Sequence, residues 1–371
     1  MIRLPARLLH RIAHDWLLLA LLAAFPVLFW IVPLPLLELK ALVDWKTVSA
    51  LAGLMVLSRA FEVSGLMDRL GRWILQKLQS LRIIAVAMVL FAAALAAVVT
   101  NDVALFVTVP LTLSLARRVE LPVARLVIFQ ALAVNAGSAL SPVGNPQNLF
   151  LWQLSGSGFW EFALAMLPIG GLMLAMVLAL VPLAFGSARL AISQRDNPLP
   201  LEPRLMGLSL LAYPAFLWAV NAGQAVPGAL LIIGGYALAF RRVLGGVDWA
   251  LLLVFALMFV NLGMLGLIPV IAAQAELWMQ GASAAFGLGA VLSQVMSNVP
   301  AAIFLAPFTE DWRALAWGVN VGGFGLAIGS LANLIALRLA PQPGIWRDFH
   351  FWSVPMLVVS ALAGALLLSA F

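Results

Sequence analysis

The stretch "NAGSALSPVGNPQN", residues 135–148, sits between long apolar runs, where a membrane-spanning helix is due. It carries three asparagines, two prolines, two glycines and two serines. Pro142 and Pro146 each lack a backbone N–H, Gly144 disfavours helix, and each proline pushes the residue before it toward extended backbone. The segment cannot be regular helix. Inside a bilayer every backbone N–H and C=O must be satisfied by the protein, so an unwound stretch survives only where it is buried or lines a polar cavity. Such a break exposes two half-helix ends, one with partial positive charge from N–H groups and one with carbonyl oxygens. Anions can meet the first and cations the second.

The rest of the chain supports a membrane setting. Its 371 residues are 64% hydrophobic and 10% charged, with a mean hydropathy of +1.07, outside the range of soluble domains. Runs of the roughly 20 apolar residues that a helical span needs recur from Asp15 onward and leave no room for a soluble domain. The net charge of +6 comes from basic residues in short loops, which marks membrane topology rather than nucleic-acid binding. Cysteine is absent, which excludes disulfides and thiolate metal sites. His10, His14 and His350 lie at span ends; the first two share a helix face with Arg7 and Arg11 and read as an interfacial segment rather than a metal site. No zinc-protease, serine-hydrolase or phosphate-loop pattern occurs, so an enzyme is not expected, nor any cofactor beyond a bound Na+ or H+.

Apolar runs between charge clusters predict spans near residues 16–35, 46–65, 124–152, 159–185, 207–222, 228–240, 249–268, 314–338 and 351–370. Two further runs, 83–116 and 282–308, carry polar tips at Thr100-Asn101-Asp102 and Ser297-Asn298. Their arms of 17 and 14, and of 15 and 10, residues reach about 25 Å and about 15 Å at most, short of a bilayer core of roughly 30 Å. Both are read as re-entrant hairpins. The distribution of Lys and Arg places the N-terminus in the cytoplasm, with Lys40, Lys46 and Arg313 outside. The expected fold is an all-α polytopic membrane protein of about nine spans plus two hairpins.

An internal repeat organises these elements. Val43-Asp44-Trp45 recurs as Val247-Asp248-Trp249, each opening a span; the two tips follow; then "NAGSALSPVGNPQNL" and "NVGGFGLAIGSLANL" share Asn135, Gly137, Gly144 and Asn148 with Asn320, Gly322, Gly329 and Asn333. The first motif lies outside and the second inside, so the two halves form an inverted-topology repeat, the architecture of secondary transporters. The domains are a cytoplasmic basic amphipathic segment 1–15, a first repeat 16–185, a linker with a connecting span 186–227 and a second repeat 228–371. The second break, without prolines, is expected to be milder. The alternative for the glycines is close helix packing, and for the asparagines interhelical hydrogen bonding.

Asp102 is the one acid placed deep in the membrane, where a carboxyl can exchange a proton, help hold Na+, or cap the second hairpin arm. Arg59 and Glu62, one turn apart, read as a local pair with a snorkelling arginine. Trp152, Trp160, Trp278, Trp312 and Trp346 fit an interfacial belt.

"VTNDVALFVTVPL", "SPVGNPQNL", "SNVPAAIFLAPF" and "AIGSLANL" resemble signature segments of the ion transporter superfamily, in particular its arsenite permease and NhaD-type antiporter group and, within it, a branch of short transporters of about this length. The resemblance covers the chain from Val43 to the last span. It implies a homodimer with a scaffold and a moving transport domain working by an elevator-like motion. It also implies substrate and cation sites at Thr100, Asn101 and Asp102, at Ser297 and Asn298, along 141–148 and along 328–333. The related divalent-anion/sodium symporters carry Ser-Asn-Thr at both tips, where this chain reads Thr-Asn-Asp and Ser-Asn-Val, and Thr-Pro where it reads Leu326-Ala327. Arsenite permeases resemble the Asn-Asp tip and "IGSLA" but lack the "GNPQN" form of the first break.

Residues and resemblance together predict a secondary active ion transporter of the cell inner membrane, moving a small anion or oxyanion coupled to H+ or Na+. Its expected partners are a small ion, the lipid bilayer and a second copy of the chain. The ion-binding residues are Thr100, Asn101, Asp102, Asn135, Gly137, Ser141, Gly144, Asn145, Asn148, Ser297, Asn298, Asn320, Gly322, Gly329, Ser330 and Asn333, with Asp102 as the coupling group. The alternatives are a sodium/proton antiporter and, from another class, a passive channel.

Overall fold

The chain was analysed as a computed structural model that describes residues 16–66, 69, 80–116, 120–188 and 200–370. The amphipathic segment 1–15 with His10 and His14, and Arg72, Lys77, Arg117, Arg118, Arg189 and Arg195, lie outside the described residues. Among those described, every regular element is a helix. Five helices are long and apolar enough to cross a membrane: Leu81–Val98, Phe159–Ala184, Pro203–Asn221, Trp249–Gly266 and Ile345–Ala370. Shorter apolar helices pack among them, as a polytopic membrane protein requires.

The first half runs α1 (Trp16–Ile31), α2 (Leu36–Ala41), α3 (Trp45–Val63), α4 (Leu81–Val98), α5 (Asn101–Ala116), α6 (Val123–Ala139), α7 (Pro146–Ser155) and α8 (Phe159–Ala184). Next comes α9 (Pro203–Asn221). The second half runs α10 (Ala225–Ala239), α11 (Arg241–Gly245), α12 (Trp249–Gly266), α13 (Pro269–Trp278), α14 (Ala282–Met296), α15 (Asn298–Leu305), α16 (Trp312–Val321), α17 (Leu331–Leu339) and α18 (Ile345–Ala370). Three short helices, α2, α11 and α13, are absent from the expected spans, and α18 starts ahead of its expected boundary at 351. The first hairpin arm, α4, has 18 residues, about 27 Å, which on length alone also suffices to cross.

Packing is reciprocal between the halves. Helix α4 lies on α6 as α14 lies on α16; α3 meets α10 as α12 meets α1; α5 touches α17 as α15 touches α7. Even the small motif repeats its geometry: Trp45 Nε1 donates to Lys40 O and Trp249 Nε1 to Leu244 O, both at 3.0 Å, fastening each span to the short helix before it.

Close approach requires glycine at two matched places. A Cβ on Gly137 would sit 2.2 Å from Ala93 O, and one on Gly322 would sit 2.4 Å from Ser293 Cβ, so each broken helix presses directly on a hairpin arm. Helix α9 packs on α3 and α10, and its Tyr213 hydroxyl donates to Val98 O, a carbonyl that the end of α4 leaves without a helical partner.

Both predicted breaks are present, but the second is not the milder one. The first spans residues 140–145, whereas the second spans 322–330 and contains only a 3-10 turn, Ala327–Gly329. Proline explains the reversal. Pro146 at the first position of α7 is preset for helix, and Asn145 caps it by accepting from Asn148 N at 2.8 Å, so helix resumes at once. Glycines give no such restart, and Gly325 turns left-handed at φ 95°.

Candidate functional site

The two breaks meet through their asparagines. Asn135 Nδ2 donates to Asn333 Oδ1 at 2.7 Å, and Asn320 Nδ2 donates to Asn148 Oδ1 at 2.6 Å. The repeat pairs Asn135 with Asn320 and Asn148 with Asn333, so these are one contact made twice with the halves exchanged. Asn145 Nδ2 adds bonds to Asn320 Oδ1 and Ser138 Oγ, both 3.0 Å. All five asparagines are at most 4% exposed. Amides open to a ligand on the sequence reading are here bonded to one another, the interhelical role also weighed for them.

Each loop is then tied down locally, with different means. Asn148 Nδ2 reaches Ser138 O and Ala139 O, the last carbonyls of α6, and Ser141 O in the break, at 3.0 to 3.3 Å, and Ser141 Oγ accepts from Val143 N. In the second break Asn135 and Asn333 both donate to Gly323 O. Gln294 spans that loop, donating to Gly322 O at 2.7 Å and accepting from Leu326 N at 2.8 Å. Ala327 N donates to His350 Nε2 at 3.1 Å, and Ser353 Oγ donates to Gly325 O. Gln294, His350 and Ser353 have no matching polar residue in the first half, so the repeat gave no signal for them.

The first tip adjoins the first break, and Ser297 of the second lines a cavity with Ile328 and Leu331 of the second break and α17. Asn101 N donates to Gly144 O at 3.0 Å, joining the first tip to the first break; a Cβ on Gly144 would meet Ser138 O at 2.4 Å, and one on Gly329 would meet Gly322 O at 2.6 Å. The four glycines among the predicted site residues therefore act as packing positions. Asp102 lies in the first turn of α5, where its own N–H donates to Asn101 Oδ1 at 2.9 Å. That bond comes from Asn101, and Asp102 itself lines a cavity. A cavity of about 470 Å³ is lined by Asp102 together with Arg59, Glu62 and Asp248. Arg59 pairs with Glu62 at 2.6 Å, as expected.

At the second tip Asn298 opens α15, buried, and Ser297 holds φ 75°, ψ 156°, the one positive φ outside glycine among the described residues. That region is essentially restricted to glycine and costs about 1–3 kcal/mol. A cavity of about 250 Å³ beside it is apolar apart from Ser297.

Three buried atoms of the tips and breaks lack a hydrogen bond of good geometry: Thr100 Oγ1, Gln147 Oε1 and Ser330 Oγ. Ser330 precedes α17 without capping it. Gln147, in the first turn of α7, falls within the segment 141–148 that the resemblance marked but has no place in the repeat pattern. Of the tryptophans expected in the belt, Trp160, Trp278 and Trp346 are exposed, whereas Trp152 is 2% exposed and donates to Ser157 O.

Comparison with known proteins places the chain among membrane transporters. The sequence profile of CitMHS, described as citrate transporter, matches residues 8–317. The chain is similar to the inner membrane protein YbiR of Escherichia coli strain K12, 44% identical over 337 residues, covering 88% of each chain. It is also similar to the uncharacterized transporter MJ0456 of Methanocaldococcus jannaschii, 33% identical over 316 residues, covering 82% of this chain and 83% of that one. The uncharacterized transporter Mb2703 of Mycobacterium bovis is 25% identical over 366 residues, covering 87% of this chain and 85% of that one.

Proposed function

The chain belongs to the citrate transporter family, and from that premise we propose that it is a secondary active transporter of a small anion or oxyanion, coupled to H+ or Na+, in the cell inner membrane. The reading keeps the N-terminus in the cytoplasm, two inverted repeats, re-entrant hairpins, a homodimer and an elevator-like motion of the crossed helices. One observation carries it: two helix breaks bonded face to face through the exchanged pairs Asn135–Asn333 and Asn148–Asn320, with a hairpin tip beside each. Interrupted helices that cross near the middle of a membrane protein, with their polar groups satisfied within the protein, are the arrangement on which secondary transporters build substrate and ion sites.

The two ions are assigned to different ends. The coupling cation belongs to the first tip, where Asp102 supplies a carboxylate beside the polar cavity. The anion belongs to the second break, where α17 starts without a side-chain cap and Ser330 Oγ is unpartnered. A tricarboxylate such as citrate and an oxyanion such as phosphate both carry the negative charge that a helix N-terminus favours. The resemblance of the Asn101-Asp102 tip to arsenite permeases favours adding arsenite, which is largely neutral arsenous acid near pH 7, to the substrates tested.

The experiment is uptake of radiolabelled citrate, phosphate and arsenite into proteoliposomes under an imposed pH or Na+ gradient. Concentrative accumulation of at least one of them, abolished by collapsing the gradient, is expected. Asp102 in the tip also favours a second reading, sodium/proton exchange without an anion, and that reading predicts Na+-driven proton flux with none of the three labels accumulating. A channel predicts current and only equilibrating flux.

A further inference from the structure

The repeated Val-Asp-Trp motif does not serve the same purpose in its two copies. Asp44 is spent as a helix cap: its Oδ1 accepts from Lys46 N at 3.0 Å and Thr47 N at 3.2 Å, and its Oδ2 accepts from Thr47 Oγ1 at 2.7 Å. Asp248 occupies the same position before α12 and makes no side-chain cap bond, and Leu251 stands where Thr47 would supply a hydroxyl. Its carboxylate instead borders the cavity of about 470 Å³ that reaches Asp102. The other charged groups on that cavity, Arg59 and Glu62, neutralise one another as a pair at 2.6 Å. Two carboxylates remain without a cationic partner of their own.

A second observation points to a ligand. Thr100, 2% exposed, holds a buried Oγ1 without a hydrogen bond, a hard oxygen two residues before the acid. The loop also leaves Arg59 where it is. A Cβ on Gly246 would come within 2.4 Å of Arg59 Nε, so glycine there lets the guanidinium lie across the loop and stay with Glu62. Asp248 and Asp102 line the same cavity.

The geometry points to Asp102 and Asp248 as a carboxylate pair that takes up one small hard cation, Na+ or H+, through the cavity between α3, the first tip and the loop before α12. Asp102 binds at the inner end, with Thr100 Oγ1 beside it, and Asp248 lowers the energy of the same cation from the outer wall. This rests on the coupling role proposed for Asp102 and extends it to a second half of the chain. A cation held this way joins the first tip to α12, so its arrival and departure change the contact between a hairpin and a span of the other repeat.

The test is the melting temperature of the full-length protein in detergent. One arm titrates NaCl against choline chloride at fixed ionic strength and alkaline pH; the other varies pH in choline chloride alone. Stabilisation by a bound cation reads its midpoint directly. Wild type is expected to respond in one arm, and Asp102→Asn to abolish the response. Asp248→Asn is expected to move the midpoint about tenfold in Na+ or about one pH unit, with Asp248→Glu staying near wild type. Asp44→Asn should melt lower with its midpoint unmoved. If Asp248→Asn keeps the wild-type midpoint while Asp102→Asn abolishes the response, Asp102 acts alone and the pair is refuted. If Asp102→Asn also keeps the wild-type midpoint, the coupling role itself falls. A wild-type protein indifferent to both ions overturns both.

Discussion

The two polar tips differ in backbone as well as in chemistry. The first, Thr100-Asn101-Asp102, faces a cavity of about 470 Å³ walled by Arg59, Glu62, Asp102 and Asp248, and its backbone is bonded to the first break. The second, Ser297-Asn298, faces an apolar cavity of about 250 Å³, and its serine is held at φ 75°. The breaks and the exchanged asparagine bonds recur in the two halves. The tips diverge, with charge at one and a strained serine at the other. On the proposed reading, that divergence separates a cation end from an anion end.

The scaffold half of this comparison predicts matched costs. Gly137→Val places a branched side chain 2.2 Å from Ala93 O, a backbone atom, and should cost about 3 kcal/mol or more in micelle unfolding; Gly322→Val, against Ser293, should cost somewhat less because a side chain can yield. Gly171→Ala, which meets nothing within 4 Å inside α8, should be neutral or slightly stabilising. Next in size are the asparagines. Alanine at Asn135 or Asn320 should cost about 1–3 kcal/mol by stranding buried amides. Double-mutant cycles for Asn135–Asn333 and Asn148–Asn320 should give couplings equal within about 0.5 kcal/mol. Unequal couplings would break the reciprocity.

The divergent half predicts unmatched effects, and these are smaller. Asp44→Ala should cost about 1 kcal/mol as a lost cap, whereas Asp248→Ala should stay within about 0.5 kcal/mol, because only the first caps its helix. Ser297→Gly should stabilise by up to about 1 kcal/mol, since glycine accepts φ 75° without penalty; Val99→Gly at the first tip, where φ is −101°, should destabilise. Chemical unfolding of each variant in mixed micelles measures all of these. A stabilised Val99→Gly would mean that strain does not distinguish the tips.

Much of this fold was legible because a bilayer enforces simple patterns. Four of the expected spans followed from apolar length, while the fifth helix long enough to cross, Leu81–Val98, was read as a hairpin arm; the breaks followed from Pro142, Pro146 and the glycines, since neither residue type permits regular helix at those densities. The repeat made the asparagine crossing readable: Asn135, Asn148, Asn320 and Asn333 were aligned before their contacts were known. What stayed hidden depended on partners distant in sequence. Nothing in "GFGLAIGSLAN" tells that the break without prolines is the longer one, because a helix restarts where a cap is available and Ser330 does not provide it. Gln294, His350 and Ser353 act through loop carbonyls and N–H groups of another element, and Asp248 looks identical to Asp44 until the geometry shows which carboxylate is committed to its helix.

The central claim is that the first tip couples a cation to transport while the crossing of the breaks carries the solute. Reconstituted Asp102→Asn protein compared with wild type tests it, using whichever of citrate, phosphate or arsenite the wild type accumulates. Gradient-driven uptake is the measurement, with exchange of internal for external label at zero gradient as the reference. The account predicts that Asp102→Asn loses concentrative uptake and keeps exchange, since solute still passes but the cation no longer drives it. Concentrative uptake at the wild-type level in Asp102→Asn would contradict it.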